Sequence, residues 1–137
     1  MRNKKILFVN TPVFSYEEED SNLDRGVSEN YLPPIGLAYI ATHAKSLGQE
    51  VSVLDANAMV MSTVNIQEQI HAYSPDVLGL NVFSTNATIV QKIVEAIPCE
   101  MQENVDILVG GISTRALKEF IFDWKYDGRI IVVYGDG

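Results

Sequence analysis

The chain holds one cysteine, Cys99, and two histidines, His43 and His71, among its 137 residues. A single thiol cannot close an internal disulfide, nor supply a multi-thiolate zinc or iron–sulfur site within this chain. Cys99 therefore reads as a small buried structural thiol. The histidines fall in separate helical patterns with no Ser, Cys or Asp at a catalytic spacing, so neither a catalytic residue nor a metal ligand is legible. Basic charge is also scarce: 10 Lys and Arg stand against 18 Asp and Glu, a formal net charge of −8. With no basic cluster after Lys4 and Lys5, that balance repels phosphodiester backbones and anionic lipid, and nucleic acid is not an expected partner. No apolar run approaches the about 20 residues of a membrane span, and Met1 to Lys5 enters a strand pattern without a secretory signal. No membrane partner is expected, and a cytoplasmic setting is.

Hydrophobic residues make up 47% and charged residues 20%, the balance of a folded globular domain, and the length suits one such unit over 1–137. Five short apolar runs, Ile6–Val9, Val51–Leu54, Val77–Val82, Ile107–Val109 and Ile130–Tyr134, alternate with helical patterns. Most of these runs are continuously apolar, as expected where helices cover both faces of a parallel sheet. Pro34 to Leu47 reads as a helix with Ile35, Ala38, Tyr39, Ala41 and Thr42 inward and Gly48 as its stop. Ile66 to Tyr73, Asn86 to Met101 and Thr114 to Phe122 follow, with Pro98 kinking or ending the third early. The βαβαβαβαβ order, with right-handed crossovers, predicts a flavodoxin-like (Rossmann-like) three-layer α/β sandwich with strand order 2-1-3-4-5. Ser15 to Asn30 is an acidic connection of unusual length, read as a solvated loop.

Ligands of open parallel sheets bind beyond the carboxyl ends of the strands. Four segments meet there: Asn10-Thr11-Pro12-Val13, Phe83-Ser84-Thr85-Asn86, Gly110-Gly111-Ile112-Ser113 and Gly135-Asp136-Gly137. Gly110 and Gly111 allow close backbone approach and positive φ. Ser84, Thr85 and Asn86 offer small polar groups that either cap the next helix or bond a polar ligand. Asp55 ends the second strand as an acid without the Gly-x-Gly-x-x-Gly of a dinucleotide site, so it reads as solvated. A receiver domain is excluded by Asn10 and Asn81-Val82-Phe83 where its acids would stand, and a flavodoxin by the apolar Thr11-Pro12-Val13-Phe14.

Tyr31-Leu32-Pro33-Pro34-Ile35-Gly36-Leu37-Ala38-Tyr39-Ile40-Ala41, Leu47-Gly48-Gln49-Glu50-Val51, Leu54-Asp55, Ser74-Pro75-Asp76-Val77-Leu78-Gly79-Leu80, Val109-Gly110-Gly111 and Tyr134-Gly135-Asp136-Gly137 occur in this order. Together they resemble the cobalamin-binding domain that precedes the catalytic domain of many radical S-adenosylmethionine enzymes. The resemblance implies a cobalamin whose nucleotide tail runs between sheet and helices past Ser84, Thr85, Gly110 and Gly111, with the corrin near Asn10 to Val13. The cofactor-binding set it implies is Asn10, Thr11, Pro12, Ser84, Thr85, Asn86, Gly110, Gly111, Ile112 and Gly135.

The Asp-x-His-x-x-Gly signature of the methionine synthase and mutase class is missing, and no histidine lies between Asn10 and Asn30, so a protein imidazole under the cobalt is not predicted. Asp136 stands where the family more often has Glu. On this resemblance the chain is a holder and not a catalyst alone. S-adenosylmethionine and an iron–sulfur cluster are then expected only in a downstream radical S-adenosylmethionine domain, the chain reading as the front part of a longer methyltransferase or cyclase-like enzyme. Two other readings stand beside it: a fold-only substrate-recognition or docking domain without cofactor, and a sensor taking another small molecule in the same crevice.

Overall fold

In the computed structural model, residues 3–13 and 34–134 are described; the acidic segment 15–30 and Gly135 to Gly137 lie outside them. Strands β1 (Lys5–Asn10), β2 (Glu50–Asp55), β3 (Val77–Asn81), β4 (Asp106–Gly110) and β5 (Ile130–Val132) form one parallel sheet in the order β2-β1-β3-β4-β5. That is the order the alternating pattern predicts. The register aligns Asn10 with Asp55, Phe8 with Val53 and Gly79, and Asn81 with Gly110. Aligned residues of a parallel sheet share a face, so every strand can be divided into two sides.

One side is the main core. Leu7, Val9, Leu78, Leu80, Ile107 and Val109 meet apolar side chains of helices α2 (Thr63–Tyr73), α3 (Ala87–Glu95) and α5 (Thr114–Phe122) in one buried cluster. Ile66, Ile93 and Ile121 are fully buried there, each contributing roughly 1.5–3 kcal/mol through removal from water. Ser62 caps α2, its side chain accepting from Asn65 N–H at 3.2 Å, so this helix begins a turn before its apolar spacing alone predicts. Pro98 has the predicted effect: α3 stops at Glu95, and a separate short turn, α4 (Cys99–Gln102), follows. Cys99, expected to be buried, opens that turn and is exposed, because the break at Pro98 lifts it off the helical face that would have carried it inward.

The opposite side carries α1 (Ile35–Ser46), which lies against β2 and β1. Gly48 ends it with φ of +82°, as its position suggests. The inward stripe differs from the prediction. Ala41 is the buried residue of α1, with Leu37 and Ala44 partly buried on its face, whereas Ile35 and Tyr39 are 63% and 74% exposed. The helix is apolar on several sides, so spacing could not select the one that meets the sheet. Under α1, the Phe8 ring lies over Gly79, where a Cβ would run into it. Among the described residues, no helix is long and apolar enough to cross a membrane.

Candidate functional site

The strands end at a common edge, and three of them end in a polar residue on the α1 side: Asn10, Asp55 and Asn81. These three form a row. Asp55 Oδ1 accepts from Asn10 Nδ2 at 2.9 Å, and Asn10 Oδ1 accepts from Asn81 Nδ2 at 2.9 Å. Asn81 Oδ1 then accepts from the backbone N–H of Thr11 at 3.3 Å. Asp55 Oδ1 also takes the Ala58 N–H at 3.1 Å, so this acid, read from sequence as merely solvated, is bonded into the edge. Its role was missed because the sequence argument sought a glycine-rich dinucleotide motif. The available signal was an Asn or Asp at or near the end of each of three apolar runs, Asn10, Asp55 and Asn81, though only the register shows them to be neighbours.

Asn86 fastens the third strand's loop to the first. Fully buried, it accepts from Phe83 N–H through Oδ1 at 2.7 Å and donates through Nδ2 to Thr11 Oγ1 at 2.7 Å and Asn81 O at 3.1 Å. It occupies the residue before α3 without making a capping bond to that helix, and its amide is turned into the protein. Thr11 and Pro12 are buried beside it, while Ser84 and Thr85 are exposed on the turn that it holds. Both N–H positions of the Asn86 amide and its oxygen are thus used to shape the crevice wall.

The two glycines after β4 do different things. Gly111 has φ of +125°, and a Cβ on it would lie 2.5 Å from the Val82 carbonyl oxygen, so its smallness serves the packing of one loop on another. Gly110 differs: among the described residues, a Cβ there would meet nothing within 4 Å. It lies on the α1 side next to Asn81, one layer above the Phe8 ring over Gly79. Thr114 ties this turn to β5, its hydroxyl donating to Val133 O at 2.8 Å with Gly111 O also 3.0 Å away.

Large apolar side chains stand in solvent along the same edge: Val13 at 37%, Ile112 at 88% and Tyr134 at 48%. A glycine position with no described neighbour in the place of its Cβ, set between a hydrogen-bonding row and an apolar rim, suits a large ligand with both polar and apolar parts. The structure therefore gathers Asn10, Thr11, Pro12, Ser84, Thr85, Asn86, Gly110, Gly111 and Ile112 at one edge, with Asn10, Thr11, Pro12 and Asn86 contributing mainly from within. Gly135 is outside the described residues. His43 and His71 are exposed on α1 and α2, and no group of His, Cys, Asp and Glu that could hold a metal ion occurs among the described residues. A cavity of about 20 Å³ between α2 and the α3–α4 break, lined by Ile70, His71, Pro98 and Met101, lies at the other edge of the sheet. It has room for about one water and no bearing on the crevice.

Comparison with known proteins gives one family: a model described as B12 binding domain matches residues 22–137. No curated protein and no solved structure gives a significant match.

Proposed function

The chain belongs to the B12-binding domain family, and from that premise we propose that it holds cobalamin at the carboxyl edge of its sheet as a module of a radical S-adenosylmethionine enzyme. The observation that carries the site is the space over Gly110, which no described residue fills, flanked by the Asn10–Asn81 row and floored by Phe8. The chain's residues fit the group: Gly110, Ser84 and Thr85 would line the nucleotide tail, Asn81 would face it, and Val13 and Ile112 would meet the apolar flank of the corrin. When bound, cobalamin supplies a cobalt centre that can carry a methyl group. This chain's part is to hold and orient that centre, to keep the tail out of water, and to present the corrin to a partner.

No histidine lies between Asn10 and Asn30, so on this reading that segment would supply no imidazole to the cobalt. The radical chemistry would belong to a catalytic domain of the same protein carrying S-adenosylmethionine and an iron–sulfur cluster. In support of such a partner, α1 and its C-cap leave Ile35, Tyr39, Ile40 and Leu47 exposed, more apolar surface than a solvated face needs. Titration of the domain with hydroxocobalamin, followed by visible absorbance and calorimetry, tests the reading. Saturable binding at or below tens of micromolar is expected, and no binding would defeat it.

A further inference from the structure

Asp55 sits at the outer end of the polar row, and the row has a direction. An ionised carboxylate can only accept, so the Asn10 carboxamide must turn its NH2 towards β2 and its oxygen towards β3. That oxygen in turn takes Asn81 Nδ2, which puts Asn81 Oδ1 on the Thr11 N–H. The far end imposes the same sense, because the Thr11 N–H needs an acceptor, but its bond is 3.3 Å long whereas the two nearer Asp55 are 2.9 Å. A hydrogen bond to a charged acceptor is also stronger than one between neutral groups. The orientation of a side chain next to Gly110 is thus set from two strands away.

We propose that Asp55 is a positioning residue of the crevice: through Asn10 it fixes which end of the Asn81 carboxamide lies towards Asn10 and which towards Thr11, beside Gly110. It acts by accepting hydrogen bonds and not by offering its charge to the ligand. The inference rests on the cobalamin reading above, and the experiment separates the two.

Hydroxocobalamin affinity is measured for variants shown by circular dichroism to be folded at the assay temperature. Asp55→Ala leaves the Asn10 amide unheld and should weaken binding about fivefold to tenfold. Asp55→Asn keeps a carbonyl oxygen for both Asn10 Nδ2 and Ala58 N–H and should restore most of that loss. In an Asn10→Ser background, where the link is cut, Asp55→Ala should cost nothing further. Should the alanine variant not fold, Asp55→Ser, whose hydroxyl is too short to reach Asn10, takes its place. An Asp55→Asn variant as weak as Asp55→Ala, a loss of the same size in the Asn10→Ser background, or unchanged affinity on removing Asp55 would each overturn the proposal while leaving the cobalamin reading intact. A wild-type domain that binds no cobalamin would instead overturn the reading, and this inference with it.

Discussion

Gly111 is pressed against the main chain of Val82: with φ of +125°, any Cβ on it would sit 2.5 Å from the Val82 carbonyl oxygen and 3.1 Å from the Val82 nitrogen. Both atoms are backbone, and the Val82 N–H is already bonded to Gly110 O at 2.7 Å, so neither can step aside cheaply. Gly111→Ala should therefore cost about 2–4 kcal/mol of folding stability, from left-handed backbone strain plus the clash. Urea unfolding monitored by circular dichroism measures it. A loss below about 0.5 kcal/mol would mean that this turn is not held as described.

Gly110 makes the opposite case one residue earlier. It lies in β4 in the ordinary extended region, and no described residue comes within 4 Å of the place of its missing Cβ. A β-branched residue suits a strand backbone there. Gly110→Val should leave stability within about 1 kcal/mol of the wild type while weakening hydroxocobalamin binding more than about tenfold by filling the slot. Normal affinity in a folded Gly110→Val protein would remove the slot from the site.

The sheet and its strand order were readable because continuous apolar runs separated by helical spacings leave little else for a chain of this length to do. The Gly110-Gly111 pair was readable only as a pair. Sequence shows two missing Cβ atoms, but not that one faces Val82 and the other no described residue. The face of α1 was hidden for a related reason: a helix apolar on several sides gives no contrast from which to choose, and the sheet's position selected Leu37, Ala41 and Ala44 over Ile35 and Tyr39. The polar row needed the register. Asn10, Asp55 and Asn81 are far apart in sequence, and only the pairing of β1 with β2 and β3 puts them side by side.

Asn86 carries a prediction about loop order. Its amide bonds Thr11 Oγ1, Asn81 O and Phe83 N–H from a position with no solvent exposure, so an apolar substitute strands three groups that water cannot readily reach. Asn86→Ala should lower stability by about 2–3 kcal/mol, less than three independent losses because the groups share one network. Hydrogen exchange should show faster exchange at Phe83 and at Thr11, whose neighbour Asn81 is held by the same side chain. Unchanged exchange at both amides would show that the loops are held by other means.

Tyr126 gives the domain a distinct share of its alkaline sensitivity. Its hydroxyl donates to Val105 O at 2.5 Å, with Gln102 O at 3.3 Å, anchoring the segment before β5 to the start of β4. Burial, and secondarily the Asp106 carboxylate, push its pKa from 10.0 up to about 12. The folded state therefore keeps this proton at pH values where the unfolded chain has released it. A raised folded pKa means that the stabilisation is fully present below the unfolded value near 10 and is lost as pH rises towards about 12. Ionisation would face a phenolate with two carbonyl oxygens, so the two effects have the same sign. Tyr126→Phe should be less stable than the wild type at neutral pH by about 1 kcal/mol, through the lost hydrogen bond. Its stability should then fall less steeply between pH 10 and about 12. Some slope should remain, because Tyr73, whose hydroxyl donates to Ile6 O, is also shifted upward by burial and by Glu50. Denaturant unfolding at a series of alkaline pH values compares the two slopes, and parallel curves for wild type and Tyr126→Phe would refute the assignment.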